Sequence, residues 1–380
     1  MHLSADPAAR RRLLALAGAA ALALAAGFVV GSDRDDAPRD DTPAPAAKEA
    51  VDSLTLRRQV GQLLVSSFDG ATVPPYLRRR LGAGETAGVI LFGANGGTAE
   101  QWRSLTRGVQ RGARGSALVA VDQEGGQIRT LQVAGPQPGQ AAQGDPAEVR
   151  AVARDAGREL SELGVNVNLA PVADVATGAA ALGGRTFAGG PGEVAARTAA
   201  AVTGLRSGGV AATAKHFPGL GAATVNTDDG PVTISVPRAV LEDRELVPFR
   251  AAVRVGVPLV MLSHALYPAL DGKRIASQSP AVVRGLLRRR LAFGGVIVTD
   301  SMEAAAVLAR SGVADAAERS VRAGADLILM TGSASWNEVF PRLLARARSS
   351  PEFRGQVRVA AARVLALKRS LGLRPPPARR

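Results

Sequence analysis

The sequence predicts an α/β protein built as a single TIM (β/α)8 barrel, and three observations predict it. Between residues 51 and 373, short apolar runs alternate with longer amphipathic stretches, which is the rhythm of a parallel sheet. The runs number eight, which favours closure of the sheet into a barrel over an open sheet. Five consecutive runs are each followed by charged or hydrogen-bonding residues, which a barrel would gather at one end.

In chain order the expected strands are residues 62–66, 87–92, 117–121, 166–169, 210–214, 259–262, 296–299 and 326–330. The stretches 147–163, 193–207, 240–254, 280–291 and 302–323 are each long enough for one helix. Ahead of the barrel, Arg10, Arg11 and Arg12 precede nineteen uncharged residues, 13–31, rich in Ala, Leu, Gly and Val. That pattern is expected to export the chain, either as a cleaved signal peptide or as an anchor on the outer face of the cytoplasmic membrane. Residues 32–50 are mostly Asp, Pro and Ala and read as a disordered linker, and 374–380 as a basic tail.

Composition narrows the functional classes. With 380 residues and 46% hydrophobic side chains, the chain can bury a sizeable core. The absence of cysteine rules out a disulfide scaffold, a thiol nucleophile and a thiolate metal site. The net charge of +14 is spread along the helical stretches, and with only 3% aromatic residues there is little to stack on bases, so nucleic acid is not expected as a partner. No His or carboxylate pair recurs at ligand spacing, so neither a metal nor another cofactor is expected. Nor is there a phosphate-binding Gly-Lys-Ser/Thr loop or a Gly-x-Ser-x-Gly elbow.

The residues after the runs are Asp122-Gln-Glu-Gly-Gly after the third, Ala170-Pro-Val-Ala-Asp174 after the fourth and Lys215-His216-Phe-Pro-Gly after the fifth. Ser263-His264 follows the sixth and Asp300-Ser301 the seventh. A single Asp after a strand is more often a helix cap than a catalyst. Five such ends on one face, carrying both His216 and His264, point instead to a ligand site. With acyl, phosphoryl and dinucleotide chemistry unsupported, carboxylates acting on a sugar acetal are the natural use of this rim.

These motifs resemble glycoside hydrolase family 3, specifically its single-domain β-N-acetylglucosaminidase (β-N-acetylhexosaminidase) branch, which trims cell-wall muropeptides. The likeness runs from about Gly61 to Gly332 and is carried by the four segments around Asp122, Asp174, Lys215 and Asp300. It implies a retaining glycosidase in which Asp300 is the nucleophile, and a substrate that is a muropeptide or another glycan containing β-linked N-acetylglucosamine. It further implies that Asp122, Lys215 and His216 bind sugar hydroxyls and that Arg185 contacts substrate, with His264 on the same rim. A second substrate-contacting Arg of the family falls on Thr130, with Arg129 one place early. No cofactor is implied, and a monomer is expected.

One departure concerns proton transfer. The family's loop after strand five reads Lys-His-Phe-Pro-Gly-His-Gly-Asp-Thr, two residues, then Asp-Ser-His, the last His being the general acid/base. Here the same stretch is Lys215-His-Phe-Pro-Gly-Leu220-Gly-Ala-Ala-Thr-Val-Asn226-Thr-Asp228-Asp229, so the acid/base position carries Asp228. Either Asp228 is the acid/base, its pKa raised by Asp229 and by loop closure over substrate, or the loop is a binding flap on a catalytically impaired glycan-binding protein. A β-glucosidase of the two-domain branch is a weaker reading, because that branch takes its acid from a second domain.

Overall fold

The computed structural model describes residues 45–178 and 180–376. The expected signal segment 1–31 lies outside the described residues, as do most of the linker and residues 377–380. The linker expectation needs one correction, because a helix, Pro45–Asp52, begins before residue 50. Its end is drawn onto the protein by Val51 and nearby Leu54, both fully buried in the main core. The Gln59 side-chain amide also donates to the Val51 carbonyl at 3.1 Å.

Eight parallel strands form the barrel: β1 (Leu64–Ser66), β2 (Gly88–Ile90), β3 (Leu118–Val121), β4 (Val167–Asn168), β5 (Ala211–Phe217), β6 (Leu259–Leu262), β7 (Val296–Thr299) and β8 (Ile328–Leu329). Neighbours pair in the order β7-β6-β5-β4-β3-β2-β1-β8. A parallel bridge between Val298 and Leu327 joins β7 to the segment entering β8 and closes the ring. The expected fold class is therefore the observed one, with every expected strand overlapping an observed strand.

Alternation along each strand divides the apolar side chains between two layers. Leu118, Ala120, Leu259, Met261, Val296 and Val298 point inward and fill the barrel, while Val119, Val121, Val260, Leu262 and Ile297 point outward beneath the helices. Val364 and Leu367, from the last helix Pro351–Ser370, join the inner cluster and seal the end opposite the strand C-termini. Inside and outside are therefore both dry, and the polar residues that follow the strands are left at the mouth.

The helices Pro146–Glu162 and Pro191–Ser207 match expectation, as does the helical stretch over 238–254, which carries a π-wound turn at Leu241–Glu245. The single helix expected over 302–323 is instead broken into Ala305–Leu308 and Val313–Ala323. Residues 300–304 stay non-helical because their amides are used elsewhere. The Asp300 N–H donates to Leu262 O on β6, and the Met302 N–H to Leu329 O on β8. No helix among the described residues is long and apolar enough to cross a membrane.

Candidate active site

The mouth of the barrel carries a charged network built around Glu124. This side chain is 1% exposed and accepts from Lys215 Nζ at 2.7 Å and from Arg185 through two guanidinium nitrogens at 2.8 and 2.9 Å. Lys215 also donates to Asp122 Oδ1 at 2.6 Å. Burial pushes the Glu124 carboxyl up, yet Lys215 and Arg185 outweigh it and hold the group at about 2. Burial likewise opposes the charge on Lys215, and Asp122 and Glu124 reverse that, raising its pKa above the ordinary value. Glu124, Lys215 and Arg185 thus hold one another in their charged forms.

Their exposure separates two jobs. Asp122 is 31% and Arg185 23% exposed, whereas Lys215 is 3% exposed. Asp122 and Arg185 therefore present hydrogen-bonding atoms to the mouth, and the buried Lys215 and Glu124 fix where they point. Arg129 does not join this group. Its guanidinium is turned to the Gln137 side chain and the Gln132 carbonyl, and Thr130 bonds back to the Asp122 carbonyl.

A second arm of the site runs from Asp174 to Asp300. Fully buried Asp174 takes the Nδ1–H of His216 at 2.7 Å, the His216 backbone N–H at 3.2 Å and the Leu220 N–H at 2.6 Å. With Nδ1 donating to Asp174, the Nε2 of His216 faces Asp300 Oδ2 at 3.9 Å. His264 is also fully buried, and both its ring nitrogens are engaged, one with Ser277 Oγ at 2.8 Å and the other with Ser301 O at 2.9 Å. Desolvation lowers its pKa, so His264 supports the backbone beside Asp300 rather than offering an open nitrogen to the mouth.

Asp300 stands at the end of β7, part-buried, with Oδ1 accepting the Ser301 N–H at 2.8 Å. Burial pushes its carboxyl up, but His216, His264, Lys215 and the Ser301 amide together outweigh that and hold it below the usual aspartate range. An ionised carboxylate is the form that can attack an electrophilic carbon. Behind it, Glu303 accepts from the Thr331 N–H at 2.8 Å and the Ser301 hydroxyl at 3.2 Å, tying the end of β7 to the end of β8.

Asp228 lies on the loop after β5, where solvent reaches it. The loop is folded down over the barrel. Leu220 is buried in the core, Gly221 O accepts from Thr177 Oγ1, and Asp228 O and Thr227 O accept the amides of Ala305 and Ala306. Gly221 is required there, because a Cβ would meet Val175 O at 1.8 Å. This docking sets Asp228 beside the segment that carries Asp300. The Asp228 carboxyl is raised above the usual range, first by desolvation and then by the charge of Asp300. Asp229 is not among the causes, so the like charge that raises Asp228 is Asp300 and not its sequence neighbour.

All seven residues expected at the site thus lie at or just beneath one mouth. Glu124 and Asp174 stood within the quoted motifs without an assigned role, and only their contacts reveal what they hold. Among the described residues, no group of three His, Asp or Glu side chains could hold a metal ion.

Comparison with known proteins agrees with this architecture. Residues 55–367 match the family model described as Glycosyl hydrolase family 3 N terminal domain. A Beta-hexosaminidase of Xanthomonas oryzae pv. oryzae is 35% identical over 254 residues, covering 64% of this chain and 76% of that protein. Among solved structures, a β-N-acetylglucosaminidase from Paenibacillus sp. superposes with a TM-score of 0.80 at 34% identity, covering 86% of this chain and 65% of its own. This chain therefore spans just under two thirds of the Paenibacillus protein. A β-N-acetylhexosaminidase from Beutenbergia cavernae gives 0.76 at 33% identity, with 83% and 98% covered.

Proposed function

Since the chain belongs to glycoside hydrolase family 3, we propose that it is a retaining β-N-acetylhexosaminidase acting on glycans with β-linked N-acetylglucosamine, with Asp300 as nucleophile and Asp228 as acid/base. One observation carries this reading. Two carboxyls at the same mouth are pushed in opposite directions, Asp300 toward the ionised and Asp228 toward the protonated form. That division is what a retaining mechanism asks of its two carboxyls.

In the first step Asp300 attacks the anomeric carbon while Asp228 protonates the departing oxygen, giving a glycosyl-enzyme. In the second, Asp228 takes a proton from water, which displaces Asp300 and keeps the configuration. Asp122 and Arg185 hold the sugar hydroxyls in this scheme, oriented by Lys215 and Glu124, and His216 fixes the field at Asp300. The reading includes export, with residues 13–31 as signal or anchor and wall muropeptides as the natural substrate class.

A second reading, a glycan-binding protein of the envelope without turnover, is favoured by one feature of the loop. Asn226 accepts the Asp228 N–H at 3.2 Å and donates to Asp228 Oδ2 at 3.3 Å, a self-contained turn that needs no catalytic purpose. The deciding experiment is chromophore release from an aryl β-N-acetylglucosaminide. Turnover that Asp300→Ala abolishes supports the hydrolase, whereas muropeptide binding in calorimetry without turnover supports the binding protein.

A further inference from the structure

A cleft of about 710 Å³ opens on the flank of the barrel and is lined by none of the rim residues. Its walls come from the hairpin strand Asp271–Ile275, the π-wound helix Ala281–Arg290, the helix Val313–Ala323 with the turn before it, and the start of Pro351–Ser370. Six cations face it, Lys273, Arg274, Arg284, Arg310, Arg319 and Arg322, against a single lining carboxylate, Glu352.

What marks this cleft is that most of its cations are unpaired and gathered around one concavity. Several arginines elsewhere are matched to carboxylates, as Arg185 is to Glu124, Arg290 to Glu242, Arg342 to Glu318 and Arg358 to Asp52. In the cleft, the side chains of Lys273, Arg284, Arg310 and Arg319 have no hydrogen-bond or ion-pair partner among the described residues. Four uncompensated positive charges around one concavity repel each other and concentrate counter-anions there. The chemistry of the walls narrows the ligand further. No aromatic side chain lines the cleft, so neither sugar rings nor bases would be held by stacking. A concave wall assembled from several segments admits a chain but not the plane of a bilayer.

We propose that this cleft binds a linear polyanion whose repeating units carry phosphate or carboxylate groups, holding the polymer against the flank of the barrel. The site is independent of the rim, and its test does not use turnover. The probes are fluorescently labelled inorganic polyphosphate and labelled polygalacturonate, titrated with the full chain at several salt concentrations. The double variant Arg310→Gln/Arg319→Gln is expected to bind the preferred probe about tenfold more weakly or worse. Its salt dependence should also be flatter, because fewer counterions are displaced. The charge-matched control Arg150→Gln/Arg254→Gln, at exposed arginines outside the cleft, is expected to stay within about twofold of the parent. The stronger probe identifies the anionic group. Equal losses in both double variants would reduce the effect to net charge and overturn the proposal. So would absence of saturable binding to either polymer, or equally tight binding of anionic phospholipid vesicles through Arg310 and Arg319.

Discussion

The Nε2 of His216 lies 3.9 Å from Oδ2 of Asp300, while Asp174 grips the opposite nitrogen of the same ring at 2.7 Å. The imidazole therefore transmits the position of a fully buried carboxylate to the carboxylate at the mouth. Because Asp174 also accepts the Leu220 N–H, it is tied at once to Asp300 and to the loop carrying Asp228.

Substituting Asp174 should disturb both. Asp174→Asn keeps the shape but removes the charge and forces an amide group toward donors. Losing one charge-assisted hydrogen bond costs about 1.5–3 kcal/mol, which converts to roughly tenfold or more in rate if it is expressed in the transition state. We expect kcat to fall more than KM rises, together with faster proteolytic cleavage between residues 219 and 230. A variant with normal loop protection and normal kcat would remove Asp174 from this role.

The pH profile should belong to two carboxyls. In the proposed mechanism hydrolysis needs Asp300 ionised and Asp228 protonated, so kcat/KM should rise as pH climbs through the lowered pKa of Asp300 and fall as it passes the raised pKa of Asp228. Asp228→Asn should abolish the alkaline limb and slow poor leaving groups by about 10²–10⁴-fold, while sparing an activated aryl leaving group. An alkaline limb that survives in the variant would belong to another residue.

Glu124 should control binding of the sugar rather than the chemistry. Glu124→Gln leaves the buried Lys215 with Asp122 alone and strips Arg185 of its bidentate partner. Removing one member of a buried ion pair costs about 3–5 kcal/mol of stability because the remaining charge is uncompensated. The expected outcome is a large loss in denaturant stability with a rise in KM, since Arg185 and Lys215 lose their alignment. Unchanged KM in a folded variant would show that Asp122 alone suffices to place them.

How much of this was legible in sequence differs by element. The runs 259–262 and 296–299 coincide residue for residue with β6 and β7, because strands buried on both faces are uninterrupted apolar runs with unambiguous ends. Asp122, Lys215, His216 and Asp300 follow such runs, so their place at the mouth could be read directly. Loop conformation could not. Asp229 is next to Asp228 in sequence, yet the charge that matters is Asp300, some seventy positions away, brought near by backbone bonds from Thr227 and Asp228 to Ala306 and Ala305. The broken helix after Asp300 has the same origin, since amphipathic spacing does not reveal that the Asp300 and Met302 amides are claimed by neighbouring strands.

The closed end of the barrel carries a titrating group that should shape stability. Lys368 is buried beside the inner core with its Nζ donating to Gln62 Oε1 at 2.7 Å, and desolvation lowers its pKa from 10.5 to about 7. The unfolded chain then binds more protons than the folded one between those two values, so stability rises with pH across that window and is lost as pH falls toward 7. Below the folded pKa the penalty is constant, on the order of several kcal/mol. Lys368→Met removes the penalty but leaves the Gln62 Oε1 without its donor, which costs about 1–3 kcal/mol. The variant should therefore be more stable than the parent near neutrality and less stable above roughly pH 10.5, where the parent lysine is neutral in both states. Denaturant midpoints at pH 7, 9 and about 10.5 test this, and two parallel stability curves with no crossing would mean that Lys368 is solvated in the folded protein.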